Sequence, residues 1–279
     1  MRQYTSYPKV NSIVKIFKLM ELLVTKDEFQ LAELCSLLEF PKTTVYRMLV
    51  TLESLGYVHQ NSKTLAYGAS TKIFELGSRV IQNLSVVEIA GEVMIKLAEK
   101  TNETVNLGIL SGTDGICIEK AETKQHLRID QPVGSSSKAY HTAMGKSILA
   151  FLPEEEIKEL FSNHTFSAGN PNSIKDFPTL LKELKRIRNR GYALDNEEFE
   201  IGVRCVGAPI FDHTNKVVAG LSVAGPTSRM GEIISLHLIK LVMEAATTIS
   251  SKLGSTIHHL DNLDRERGRD KLNFGPGEL

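Results

Sequence analysis

The sequence has no excess of either charge, with 33 Lys and Arg against 33 Asp and Glu. No whole-molecule field therefore draws it to nucleic acid or membranes, and any polyanion site has to be local. Cysteine is scarce: Cys35, Cys117 and Cys205 lie far apart among 279 residues, with no CxxC pair. That is too few for a disulfide scaffold and fits a reducing cytoplasm. Long apolar runs are missing as well. The longest charge-free, apolar-leaning stretch, Val217 to Ser228, is twelve residues, and a membrane-spanning helix needs about twenty. No charged-then-apolar signal segment opens the chain, so a soluble, cytoplasmic protein without a membrane partner is expected. Catalytic signatures are lacking too: there is no GxSxG, no HExxH and no P-loop. Gly108, Gly112 and the Gly-Ser-Ser-Ser of 134–137 read as loop glycines without a dinucleotide fingerprint.

What is present is the composition of an ordinary globular chain, 42% hydrophobic and 24% charged, which excludes a disordered chain, a coiled-coil rod and a collagen-like repeat. The length is about two domains at ~150 residues each. The first seventy residues read as three short helices and a hairpin. Asn11 or Ser12 is placed to cap a helix carrying Ile13, Val14, Ile16, Phe17, Leu19, Met20 and Leu23. Leu31, Leu34, Leu37 and Leu38 repeat at helical spacing, and Phe40-Pro41 then punctuates the chain. A third helix, with Pro41 in its first turn and Val45, Met48, Leu49 and Leu52 on one face, ends at Gly56. Residues 57–59 and 65–67 read as strands around an Asn-Ser-Lys turn. A helical connector, 71–101 with a joint near 83–85, follows.

From 102 the pattern changes. Strands are expected at 104–110, 115–119 and, more weakly, 126–130. Helices are expected at 143–151, 153–161, 177–190 and 231–253, and a strand hairpin at 205–211 and 217–223. The fold class is α+β: a winged helix-turn-helix at 1–70, the connector, an α/β domain at 102–254, and a charged, apolar-poor tail at 255–279 expected to be disordered.

Burying Val45, Leu49 and Leu52 turns Lys42, Thr43, Thr44, Tyr46 and Arg47 outward. A helix of that kind fits the major groove, where its first residues meet base edges and phosphates. Lys63, at the hairpin tip, would reach a flanking phosphate. Residues 1–68 hold eight Lys and Arg against six Asp and Glu, so a small helical domain with an ordinary solvated face competes with this reading. In the second half, Asp195, Glu197 and Glu198 crowd three carboxylates together without His or Cys at ligand spacing. A solvated acidic loop is favoured over a metal site. His258-His259 falls in the tail, and each cysteine falls in an apolar run where a structural thiol is the default. Gly134–Ser137 reads as a small, polar, flexible loop, and Ala143-Met144-Gly145-Lys146 opens a helix soon after. Exposed amides at that helix start suit an anion. No cofactor is called for.

Four stretches in order carry a family likeness. They are Lys42-Thr43-Thr44-Val45-Tyr46-Arg47 with Leu55-Gly56-Tyr57-Val58; Tyr140-His141-Thr142-Ala143-Met144-Gly145-Lys146; Gly191-Tyr192-Ala193-Leu194-Asp195-Asn196-Glu197-Glu198 with Gly202-Val203-Arg204-Cys205; and Ser222-Val223-Ala224-Gly225-Pro226. Over residues 10–254 the chain resembles the isocitrate-lyase-regulator (IclR) family of bacterial transcription factors. The resemblance implies a GAF-like effector-binding domain with a curved antiparallel sheet, a small carboxylate effector, double-stranded operator DNA as partner, and a homodimer or dimer of dimers. Carried over, the effector contacts are Ala143, Met144, Gly145, Asp195, Cys205 and Ser222. Family members often have a second serine where this chain has Ala224, which leaves a glyoxylate-like or pyruvate-like assignment open. Residues 72–83 are similar to the subgroup answering to 2-keto-3-deoxygluconate, a sugar acid. A metabolite-gated regulator, more readily a repressor, is the expectation. Two rivals stand beside it: a Cys205 hydrolase or transferase with Asp195 and His141 as partners, and a protein-docking module built on the winged helix.

Overall fold

The computed structural model describes residues 10–82, 85–167, 170–231 and 234–257. The chain divides into two compact units, residues 1–83 and 84–279. The expected joint at 83–85 and the tail beyond 257, with His258-His259, fall wholly or partly outside the described residues.

The first unit is α1 (Asn11–Leu23), α2 (Leu31–Leu38), α3 (Lys42–Ser54), the hairpin β1 (Val58–Gln60) and β2 (Tyr67–Ala69), and α4 (Lys72–Gln82). Its core is Leu19, Leu23, Phe29, Leu34, Val45, Leu49, Leu52 and Val58. Helical periodicity assigned Leu19, Leu23, Leu34, Val45, Leu49 and Leu52 to inner faces, whereas Ile13, Phe17 and Leu37, expected there too, are exposed. Val10 takes the cap position of α1, with no side-chain cap, so Asn11 and Ser12 are helical rather than capping. Pro41 likewise sits just outside α3, its carbonyl accepting from Thr44 and Val45. Gly56 follows α3 at φ +79°, a conformation that costs glycine nothing and other residues about 1–2 kcal/mol.

The second unit contains α5 (Ser85–Thr101), β3 (Thr104–Ser111), β4 (Asp114–Ala121), β5 (Ser136–Lys138), the 3₁₀ turn Ala139–His141, α6 (Ala143–Leu149), α7 (Glu154–Leu160), α8 (Phe177–Arg190), β6 (Ala193–Asn196), β7 (Val203–Phe211), β8 (Val217–Pro226), α9 (Thr227–Met230) and α10 (Leu236–Lys252). The strands form one antiparallel sheet in the order β5-β4-β3-β8-β7-β6. Several expectations are corrected here. Residues 126–130 form no strand, whereas part of the expected flexible loop, Ser136–Lys138, pairs with β4 as the outermost strand. Gly108 lies inside β3 rather than in a loop. The last helix starts at Leu236 on a Ser235 cap rather than at Gly231. Ser255 and Thr256, read as the start of a loose tail, hydrogen-bond Asn215.

Register sorts the strand residues into two faces. Val105 pairs with Val223 and Leu107 with Leu221, while Val206 pairs with Val223 and Ala208 with Leu221. These residues form one apolar face, packed against Ala90, Met94 and Leu97 of α5 and Ile239, Val242, Ala246 and Ile249 of α10. The residues between them make the opposite face. Its cross-sheet rows are Thr104–Ala224–Cys205–Asp195 and Asn106–Ser222–Gly207–Ala193. On that face lies α6, with every residue from Ala143 to Leu149 buried.

Glycine permits this approach. A Cβ built on Gly207 would stand 2.6 Å from the Ala143 backbone, one on Gly220 2.6 Å from the Met144 carbonyl, and one on Gly108 2.4 Å from the Met144 sulfur. All are far inside van der Waals contact.

Candidate functional site

In the first unit, α2 ends at Glu39 in the left-handed region, φ 55°, and the extended Pro41 restarts the chain as α3. Lys42, Thr43, Tyr46 and Arg47 are exposed and Thr44 is half-buried. No side chain caps α3. Among the described residues Lys42, Arg47 and Lys63 form no ion pair. The hairpin tip is pinned rather than loose. Asn61 Oδ1 accepts from the Lys63 amide at 2.9 Å, and Asn61 Nδ2 donates to Glu28 Oε1 at 2.7 Å. Thr64 Oγ1 donates to the other oxygen of Glu28 at 3.1 Å. Backbone bonds between Phe29 and Tyr67, 2.9 and 2.8 Å, tie the hairpin to the segment before α2. Lys63 is thereby held outward on a fixed strut, and the unit presents a helix start and a hairpin tip, both basic, to solvent.

In the second unit a cavity of about 190 Å³ opens on the polar face of the sheet, beside the start of α6. Its walls come from Asn106 on β3, Thr142, Ala143 and Met144 at α6, Asp195 on β6, Val203 and Cys205 on β7, and Ser222 and Ala224 on β8. A strap, 129–137, closes one side, and Phe199 and Glu200 add a further wall. The strap is anchored. Lys120 holds Asp130 at 2.7 Å, Gly134 N and the Cys117 carbonyl meet at 2.7 Å, and Arg229 donates to the Leu127 carbonyl at 2.9 Å while also gripping Glu103.

Of the six effector residues expected from sequence, Ala143, Met144, Asp195, Cys205 and Ser222 line this one cavity. Gly145 stands apart. Its amide donates to Thr142 Oγ1 at 3.0 Å, and a Cβ on it would lie 2.4 Å from the Ala139 backbone. Its amide is occupied, and its smallness serves packing.

Asp195 is buried, 2% exposed. Its Oδ1 accepts from the amides of Glu198 (2.9 Å) and Phe199 (3.4 Å), and Cys205 is its cross-strand partner on β7. Burial nevertheless raises the Asp195 carboxyl to about 6, against the pull of Lys146 and those hydrogen bonds. Glu198, read as part of a solvated acidic loop, is instead buried and ion-paired with Lys146 of α6. Burial lifts its carboxyl to about 7, with Lys146 opposing and the Asp195 charge adding to the rise. The acidic cluster is thus neutralised from inside by a lysine 52 positions away. Among the described residues no group of three His, Cys, Asp or Glu could hold a metal. No described helix is long and apolar enough to cross a membrane.

Burial and the neighbouring Asp195 charge push the Cys205 thiol well above its ordinary range, the opposite of what a nucleophile requires. His141 Nε2 lies 3.3 Å from the Ile174 carbonyl, so its neighbour is backbone rather than a thiol to activate. Sequence reasoning missed Lys146 and Glu198 as a pair, and it missed Asn106 in the cavity wall, although a polar residue alternating with Val105 and Leu107 was a signal. The polar loop 134–137, singled out beside the start of α6, does supply Ser135 and Ser137 to that wall.

Comparison with known proteins completes the description. Residues 12–62 match the IclR helix-turn-helix domain family, and residues 78–251 match the family described as the bacterial transcriptional regulator IclR C-terminal domain. The chain is 36% identical over 245 residues to the HTH-type transcriptional regulator KdgR of Dickeya chrysanthemi, covering 88% of this chain and 80% of that protein. It is 33% identical over 221 residues to the HTH-type transcriptional repressor AllR of Escherichia coli K12, covering 79% and 82%. The crystal structure of the Thermotoga maritima IclR superposes with a TM-score of 0.73 at 35% identity, covering 88% of this chain and all of that one.

Proposed function

The chain belongs to the IclR family of bacterial transcriptional regulators, and from that premise we propose that a small hydroxylated carboxylate, held in the cavity on the sheet's polar face, governs its grip on operator DNA. It is a DNA-binding regulator and not an enzyme. The observation that carries the proposal is the convergence of Asp195, Cys205 and Ser222 with the start of α6 on one cavity.

No Lys or Arg lines that cavity, so a bound carboxylate rests on the amides near Ala143 and Met144. Asp195, ionised above about pH 6, accepts a hydroxyl proton where the ligand offers one, so hydroxylated acids bind more tightly than acids that have none. A sugar acid of the 2-keto-3-deoxygluconate kind meets both demands, and the likeness to a KdgR supports it. In the same proposal Lys42, Thr43, Thr44, Tyr46 and Arg47 enter the major groove and Lys63 meets a flanking phosphate. The protein acts in the cytoplasm as a homodimer or dimer of dimers, and as a repressor. The ligand shifts the balance between two arrangements only by its differential affinity for them, typically 1–3 kcal/mol per site.

Gel-shift titration of promoter fragments, with and without such acids, tests this. Arg47→Ala should weaken operator binding and lower the salt slope by about one. Asp195→Ala should abolish the response to acid while leaving DNA affinity intact. A response that survives in Asp195→Ala means the effector binds elsewhere.

A further inference from the structure

We infer that the effector cavity has a second polar end, built by Asn106, Ser135 and Ser137, that recognises hydroxyl groups on the part of the ligand remote from Asp195. The inference rests on the effector-cavity proposal and deepens it to a ligand class: acids of about five or six carbons hydroxylated on the far carbons.

The two ends of the cavity differ in how far the protein satisfies them. At the Asp195 end, the carboxylate already takes two backbone amides. At the other end, Asn106 Oδ1, Ser135 Oγ and Ser137 Oγ are buried atoms with no hydrogen-bond partner in the protein. The residues are held by different strands and the strap. Asn106, 1% exposed, sits on β3; Ser137, 6% exposed, sits on β5, paired with Gly115 of the intervening β4; Ser135 lies in the strap just before β5.

An unsatisfied buried hydroxyl or carboxamide is costly, and native structures hold few of them. Three around one cavity define a site whose complement is polar. Hydroxyls donate and accept alike, so a ligand's hydroxyl groups suit both the carboxamide oxygen and the serines. Size agrees. At ~30 Å³ per water, about 190 Å³ is far more than a two- or three-carbon acid fills, and a short acid bound at Asp195 leaves the second end untouched.

The test uses the full chain, isothermal titration calorimetry and three probes: 2-keto-3-deoxygluconate, the equally long but hydroxyl-free 2-ketohexanoate, and pyruvate. Ser137→Ala and Asn106→Leu should each weaken 2-keto-3-deoxygluconate about tenfold, as loss of one good hydrogen bond does. They should leave the other two acids unchanged. Each variant should also melt, without ligand, no lower than the parent, because an unpaired polar group has been removed from the interior. That readout separates recognition from a structural role. Unchanged binding of the hydroxylated acid in both variants, equal weakening of all three acids, or a lowered melting temperature overturns the inference while leaving the cavity proposal standing. If the parent binds only the hydroxyl-free acids, the second end is misassigned. If it binds none of the three, the cavity proposal fails and this inference with it.

Discussion

The two faces of the six-stranded sheet are written by alternate residues of the same strands, yet they do opposite things. On one, Val105, Leu107, Val206, Ala208, Leu221 and Val223 are buried against α5 and α10. Each valine or leucine among them contributes about 1.5–3 kcal/mol when fully buried. On the other, the same strands carry Asn106, Gly108, Cys205, Gly207, Gly220 and Ser222, which together supply little apolar area, a seat for α6, and polar atoms left without partners. One face stabilises the unit, and the other costs it stability in exchange for a cavity. Sites that bind are often built at such a cost. The period of two in a strand lets both jobs share a backbone without competing for positions.

The largest expected effect comes from making the second face resemble the first. Gly207→Val places a branched side chain where a Cβ alone would already stand 2.6 Å from the Ala143 backbone. Helix α6 is buried along its whole length and cannot retreat without opening the cavity and the core beneath α8. The loss should exceed about 4 kcal/mol, seen as a collapsed yield or a missing second-unit transition on thermal melting. A variant that melts like the parent would show that α6 is not seated on the glycines. Thinning the apolar face is the milder operation. Leu221→Ala should cost about 2–5 kcal/mol in urea unfolding while the operator response to acid persists. Loss of that response at unchanged stability would mean that the faces are not separable.

Much of this division was legible in the sequence, and what escaped has physical causes. Helices with a full apolar stripe, such as 177–190 closed by Gly191 at φ 84°, were placed to the residue. So was the outward turn of α3, because Val45, Leu49 and Leu52 leave only one face for Lys42 and Arg47. The short strands were not. Ser136–Lys138 and Ala193–Asn196 lack β-branched runs and exist because a neighbouring strand offers its edge, which a linear pattern does not record. Gly108 was misread for a related reason: glycine in a strand marks close approach of another segment, here Met144, but which segment approaches is a tertiary fact. Asp195 and Glu198 looked solvated because their neutralising partner, Lys146, is distant in sequence and reaches them only in the folded unit.

The smallest effect, and the one that discriminates best between the faces, is electrostatic. In the folded protein the Asp195 carboxyl titrates near 6, against an ordinary value of 3.8. Between about pH 4 and pH 6 the native state therefore holds a proton that the unfolded chain has released. Stability falls as pH rises through that window and stays lower above it, by at most about 3 kcal/mol for a shift of this size. Asp195→Asn cannot ionise, yet it keeps an acceptor for the Glu198 and Phe199 amides. It also spares Glu198 the charge that helps raise it, an effect of the same sign. The variant should melt close to the parent at about pH 4 and above it at about pH 7.5, with the gap opening near pH 6. The same pair of melts for Leu221→Ala should show a deficit that does not depend on pH, because the cluster packed around Leu221 is apolar. An Asp195→Asn difference that is flat in pH would mean that the carboxylate is already solvated or fully paired, and that the polar face carries no ionic cost.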